Sequence, residues 1–161
     1  MPRLSVDRVV SADQRGAALE VWADARTSLL RAPTRERRER VAAKIATCPV
    51  ALVATYGDRP AGMAVAEPYL DAGVPDPTTG HLSMLFVSPA WWGNHIGSAL
   101  VRALQEPPEG TAWTALSVWT RVANSRARRL YVARGFVETG EVSALHEGEE
   151  ILRLRWERPV S

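Results

Sequence analysis

The stretch of this chain best suited to chemistry is Trp92-Gly93-Asn94-His95-Ile96-Gly97. It follows an apolar run, residues 82–87, that reads as a buried strand ended by Ser88-Pro89, since proline brings no N–H to a sheet ladder. It precedes a segment in which Ile96, Leu100, Val101 and Leu104 recur at helical spacing. The first turn of a helix carries N–H groups without intrahelical partners, and the helix dipole is positive there. Glycine lets the backbone approach a ligand closely. A strand–turn–helix of this composition is a seat for phosphate. It is equally an ordinary turn that binds nothing, and these residues alone leave both readings open. No Gly-Lys-Ser/Thr follows, as a P-loop requires, and the second and third glycines of G-x-G-x-x-G are missing.

The elements that must position this turn can be taken in order. Residues 4–10 alternate loosely as a strand. Ser11 or Asp13 caps a helix running to about Leu30, with Leu19, Trp22, Ala23, Leu29 and Leu30 toward the core and Arg26 interrupting that face. A second helix spans residues 34–46. Its arginines alternate with acids: Arg35 with Glu39 and Glu36 with Arg40 are i,i+4 pairs, which favours a solvated face over a nucleic-acid patch. Residues 49–56 and 61–67 read as antiparallel strands around Gly57-Asp58-Arg59-Pro60. Residues 68–80, rich in Pro, Gly, Asp and Thr, read as a long loop, and such loops are often functional. Pro107-Pro108 ends the central helix, and residues 113–120 form another strand. Asn124 or Ser125 caps a helix that runs to Arg134, with Gly135 as its stop. Residues 136–142 and 151–156 close the chain as a hairpin around His146-Glu147-Gly148. The order of elements is that of a mixed α/β single domain covering residues 1–161.

Composition narrows the function classes. The 161 residues carry a net charge of only +2, which gives little support for a nucleic-acid or membrane partner. Lys44 is the only lysine; we read the arginine bias as GC-rich coding, a bacterial trait. With Cys48 alone, no intrachain disulfide forms, which fits a reducing cytoplasm. The first residues show neither a signal peptide nor a membrane span. His81, His95 and His146 are scattered without ligand spacing, so no metal is expected.

Two motifs carry a family resemblance. Leu85-Phe86-Val87-Ser88-Pro89 followed by Trp92-Gly93-Asn94-His95-Ile96-Gly97 resembles the acetyl-CoA motif of the GNAT superfamily of N-acetyltransferases, L-x-V-x-P then Q/R-x-x-G-x-G/A. The segment from Asn124 through Ala127, Leu130-Tyr131 and Gly135-Phe136 resembles that family's N-x-x-A-x-x-L-Y-x-x-x-G-F. The element order resembles the family over nearly the whole chain. The resemblance implies a GNAT-like fold, a mixed sheet of about six to seven strands flanked by about four helices, with acetyl-CoA as co-substrate. It departs from the family at Trp92, in the usual Gln/Arg position, at His95, which replaces a glycine, and at Trp119, where some members carry a glutamate base.

By that resemblance the backbone of Leu85, Phe86 and Val87 holds the pantetheine arm, and an N–H there polarises the thioester. Trp92, Gly93, Asn94, His95, Ile96, Gly97 and Ser98 wrap the pyrophosphate. Asn124 contacts pantetheine, and Tyr131 protonates the CoA sulfur. Each has a plainer role: Tyr131 as core, Asn124 as a helix cap, His95 as an exposed loop residue. The acceptor is a primary amine, protonated at neutral pH with a pKa of roughly 10, so a base must remove a proton before attack. Glu67, beside the expected loop, is the first choice of base or substrate anchor, with His81 and Ser83 next. Trp22, Trp113 and Trp156 read as core or interface aromatics. The loop acids Asp71 and Asp76 would draw a cationic small molecule, which favours one over a protein or peptide amine. A non-catalytic acyl-CoA sensor is the competing reading, motivated by Trp119. A homodimer is compatible with the sequence.

Overall fold

Ser11 and Gln14 start the first helix by satisfying each other's backbone. Gln14 N–H donates to Ser11 Oγ at 3.2 Å, and Ser11 N–H donates to Gln14 Oε1 at 3.0 Å. The computed structural model describes residues 3–28, 32–145 and 147–160. Its elements are β1 Leu4–Arg8, α1 Ala12–Ser28, α2 Arg35–Thr47, β2 Val50–Tyr56, β3 Arg59–Asp71, β4 Val74–Val87, α3 Ile96–Gln105, β5 Ala115–Arg121, α4 Ser125–Ala133, β6 Val137–Ala144 and β7 Glu150–Glu157. A 3-10 turn, Pro89–Trp91, follows β4. Leu29, Leu30 and His146, each given a place by the sequence, lie outside the described residues.

Seven strands form one mixed sheet in the order β1-β2-β3-β4-β5-β7-β6. β4 and β5 are parallel, with Thr79 to Leu82 beside Ala115 to Val118. A parallel neighbour requires a crossover, and α3 supplies it. The pairs β1–β2, β2–β3, β5–β7 and β6–β7 are antiparallel.

The chain divides into two compact units. One takes the chain up to Ala66 together with Met84–Leu100; the other takes Glu67–Ser83 and the chain from Val101. In the first unit Ala18, Val21, Ile45, Ala51, Met63 and Val65 form a buried cluster, with Leu19, Val41, Met84 and Phe86 packed against it. Trp22 and Ala23 are also buried, as the helical spacing predicts. Thr34 caps α2 by accepting from Arg37 N–H at 3.1 Å, and Arg38 ties α2 to Glu20 of α1 at 2.9 Å. Arg35 and Glu39 pair as expected on the exposed face of α2.

The second unit buries both faces of its central strands: Ala115 to Val118 on β5 and Leu152 to Leu154 on β7. Trp113 is buried against Gly80 of β4. A Cβ at Gly80 would stand 2.5 Å from Trp113 Cε3, closer than any relaxed contact. The indole is rigid, so we expect Gly80→Ala to cost about 1–3 kcal/mol by overpacking. Urea unfolding checks this; an unchanged midpoint would mean the indole swings aside freely.

One expectation is overturned. Residues 68–80 are not a loop, because β3 runs on to Asp71 and β4 begins at Val74. The hairpin turns on Ala72 and Gly73, with φ of 49° and 82°, both positive as a tight type I′ turn requires. Pro75 and Pro77 lie inside β4. At alternate positions they withhold N–H groups on one side of the strand only, leaving the other side free to pair. Asp71 therefore ends a strand, and Asp76 is tied locally. Its Oδ1 accepts from Thr78 N–H and Thr78 Oγ1 at 2.9 Å each, and its Oδ2 from Thr79 Oγ1 at 3.0 Å. The Thr78 N–H foremost, then the Thr78 hydroxyl, holds the Asp76 carboxyl below its usual range.

Candidate active site

In the first unit the chain leaves β4 at Val87 and reverses through the 3-10 turn into α3. Trp92 Nε1 donates to the Val87 carbonyl at 3.0 Å, and Asn94 Nδ2 donates to the Trp91 carbonyl at 3.0 Å. The residue standing in the motif's Gln/Arg position therefore binds the turn back to the strand. Gly93 has φ of 86° and His95 φ of 60°. His95 thus adopts the left-handed backbone that glycine would take freely, at a cost on the order of 1 kcal/mol. The helix begins at once, with Ala99 N–H donating to the His95 carbonyl at 3.0 Å. Ile96, Gly97 and Ser98 occupy the first turn, where N–H groups lack intrahelical partners. Leu85, Phe86 and Val87 are half-buried at the end of β4, and the pairing of β4 with β5 stops earlier, at Leu82.

In the second unit Asn124 caps α4, its Oδ1 accepting from Ala127 N–H at 3.1 Å. The amide nitrogen takes no part in that cap. Tyr131, one α-helical turn beyond Ala127, is 4% exposed, and its ring lies 5.4 Å from that of Phe136. Its hydroxyl has no hydrogen-bond partner among the described residues, and its oxygen is not one of the fully enclosed polar atoms. Burial pushes its pKa well above the ordinary phenol value, so the hydroxyl keeps its proton at working pH.

Glu67 lies within β3 rather than at the margin of a loop, and Ser83 Oγ donates to its Oε2. Alongside is a row of polar side chains crossing five strands. His81 Nδ1 and Ser117 Oγ are 3.3 Å apart. Arg153 Nε donates to Ser117 Oγ at 2.7 Å, and Arg153 Nη1 donates to Glu141 Oε1 at 2.9 Å. The guanidinium lies 4.1 Å from the centroid of the Tyr69 ring, whose own centroid is 5.8 Å from that of His81. Tyr69, Ser117, Glu141 and Arg153 escaped the sequence reading. The signal was present in Ile151-Leu152-Arg153-Leu154-Arg155, where arginine alternates with leucine along a strand and marks a polar face. Trp119 pairs with Arg153 across β5 and β7, so β5 offers no carboxylate at that position.

The sequence profile of the acetyltransferase (GNAT) family matches residues 17–136, three-quarters of the chain. The chain belongs to that family. Solved GNAT structures share its fold. The ribosomal-protein-S18-alanine N-acetyltransferase of Escherichia coli is 17% identical, with 99% of this chain and 96% of that one covered and a TM-score of 0.74. A GNAT-family acetyltransferase from Bacillus cereus is 16% identical over 98% and 99%, with a TM-score of 0.76. Ard1 from Thermoplasma volcanium is 17% identical over 98% and 99%, with a TM-score of 0.75. Among curated proteins none matches the chain significantly in sequence.

GNAT acetyltransferases use acetyl-CoA as acyl donor, and the groups present suit it. First-turn N–H donors and a positive helix end match a pyrophosphate. Among the described residues of this GNAT chain no group of three or more His, Cys, Asp or Glu could hold a metal ion. No described helix is long and apolar enough to cross a membrane.

Proposed function

We propose that this chain transfers an acetyl group from acetyl-CoA to the primary amine of a small molecule by direct attack. The observation that carries the reading is Tyr131, a buried and protonated phenol whose hydroxyl has no acceptor among the described residues. The hydroxyl oxygen is not one of the fully enclosed polar atoms, so it is open to an incoming acceptor.

The roles follow from the chemistry. The backbone of Leu85, Phe86 and Val87, beyond the end of β4–β5 pairing, binds the pantetheine arm in extended form. Trp92, Gly93, Asn94, His95, Ile96, Gly97 and Ser98 bind the pyrophosphate, and Asn124 contacts the arm through its amide nitrogen. Glu67, oriented by Ser83, takes the proton from the acceptor ammonium. The amine nitrogen then bonds to the acyl carbon as negative charge grows on the carbonyl oxygen, which a backbone N–H of β4 stabilises. The C–S bond breaks as Tyr131 gives its proton to the sulfur; the nitrogen then loses its second proton to water, leaving the neutral amide, and water reprotonates Tyr131.

The small-molecule reading does not draw on Asp71 and Asp76, since the Asp76 carboxylate is bonded to Thr78 and Thr79. It draws on the polar row around Glu67 and Tyr69, built from single side chains of neighbouring strands. A screen for CoA thiol release over amino acids, polyamines, aminoglycosides and short peptides tests it. Steady release with a small amine supports the reading, and release with peptides alone would replace it. The alternative of a non-catalytic acyl-CoA sensor is favoured by Trp119, and any steady turnover removes it.

Cofactor placement has its own test. Acetyl-CoA raises the melting temperature by mass action if it binds the native state. At 100 times its Kd the stabilisation is about 2.7 kcal/mol. Gly97→Glu, adding bulk and negative charge at the helix start, is expected to abolish that shift. An undiminished shift would put the phosphates elsewhere.

A further inference from the structure

Arg153 is a nearly buried charge with one nitrogen, Nη2, that is not fully enclosed and takes no hydrogen bond among the described residues. Its side chain is 7% exposed, yet it sits within a strand on the same sheet face as Ser117 and Trp119. Nε is bonded to Ser117, Nη1 to Glu141, and one flat face rests on Tyr69. Nη2 has no hydrogen-bond partner among the described residues. Glu141 is 52% exposed, so it neutralises the guanidinium through a partly solvated contact. The neighbouring cations on this face are differently placed: Arg121 with Glu149 and Arg155 with Glu157 are ordinary, more exposed pairs. Burying a guanidinium is costly unless its donors are used. With Nε and Nη1 already engaged, Nη2 is the donor left for an incoming carboxylate, beside the one that Glu141 holds.

The position of this fork relative to Glu67 gives it meaning. Tyr69, which carries the guanidinium on its ring, is two residues from Glu67 on β3, so both side chains leave the same face about 7 Å apart along the strand. A negative group for an ammonium and a positive group for a carboxylate thus share one face of the sheet, with Tyr69 between them. We infer that Arg153 binds the carboxylate of the acceptor, so that the preferred acceptors are small amino acids with the amine at Glu67 and the acid at Arg153. This deepens the proposed function and rests on Glu67 as the place where the amine is received.

The test compares acceptors that differ only in the remote group. γ-Aminobutyrate and δ-aminovalerate are set against their carboxamides, so that the amines stay nearly equal in basicity. Thiol release gives kcat/KM, and calorimetric titration of the same compounds gives affinity independently of turnover. The wild-type protein should prefer one or both acids over the amides by about 10- to 100-fold. In Arg153→Met that preference should collapse, chiefly through KM, while the amides retain their rates within a few-fold. Glu141→Gln, at a half-exposed position on β6, should widen the preference, because it removes the carboxylate that competes for the fork. If Arg153→Met does not fold, Glu141→Gln and Arg153→Lys carry the test, the lysine variant keeping charge without the fork and losing most of the preference. Equal use of acids and amides by the wild-type protein overturns the inference while leaving acetyl transfer intact. So does an equal loss for both sets in Arg153→Met, which would make the residue a cross-strand brace. Selective binding of the acids without thiol release would uphold the inference and refute the acetyltransferase reading.

Discussion

Tyr131→Phe is expected to lower kcat by about 100- to 10,000-fold, the range that general acid catalysis typically contributes. The ring and its contact with Phe136 are kept, so the fold should survive. Acetyl-CoA affinity should hardly change, since a single hydroxyl contact is worth on the order of 1 kcal/mol. A fall in kcat with a stable cofactor complex separates an acid from a packing residue. The raised pKa adds a second signature. Burial keeps the phenol protonated in the folded chain, whereas the unfolded chain releases that proton near the ordinary value of about 10. The associated stability is fully present below that pH and declines as pH rises beyond it, because unfolding then releases a proton. Tyr131→Phe should flatten this alkaline decline as well as slow turnover. Wild-type kcat in the variant, with chemistry rate-limiting, would return Tyr131 to the core and leave the thiolate to depart unassisted.

Glu67→Gln is the second large effect. If the carboxylate takes the ammonium proton, kcat/KM at neutral pH should fall by about 100- to 10,000-fold. The amide still accepts from Ser83, so the local structure should hold. Raising the pH toward the amine's own pKa of roughly 10 should restore much of the variant's rate, since free amine then forms in solution. A deficit that stays constant across that range would make Glu67 an anchor for the ammonium and place proton removal elsewhere.

The strand and helix order was readable because buried alternation and 3.6-residue spacing are strong along most of the chain. Ile96, Leu100, Val101 and Leu104 all fall in the core, as their spacing required. Asn124 caps its helix, and Ser11 caps the first. The hairpin over residues 68–80 was illegible because Pro75 and Pro77 argue against a strand unless the free side of the backbone is known, which only pairing reveals. Of the polar row the sequence singled out only His81, and the rest was missed for a different reason. Tyr69, His81, Ser117, Glu141 and Arg153 come from five separated strands and are joined only through the sheet. Glu67 lies within β3, so the loop that argued for it does not exist. Its partner Ser83, taken as an alternative candidate, proved to be its hydrogen-bond donor.

The left-handed backbone at His95 has a consequence for how a ligand would be met. A residue other than glycine holds that conformation only where its surroundings enforce it. Here the indole of Trp92 and the amide of Asn94 act as two latches on the turn. The conformational cost then belongs to the folding equilibrium rather than to association. On the proposed reading, an incoming pyrophosphate finds donors already aimed and has little loop entropy to remove. Capture would resemble docking onto a rigid mould more than the closing of a flexible loop.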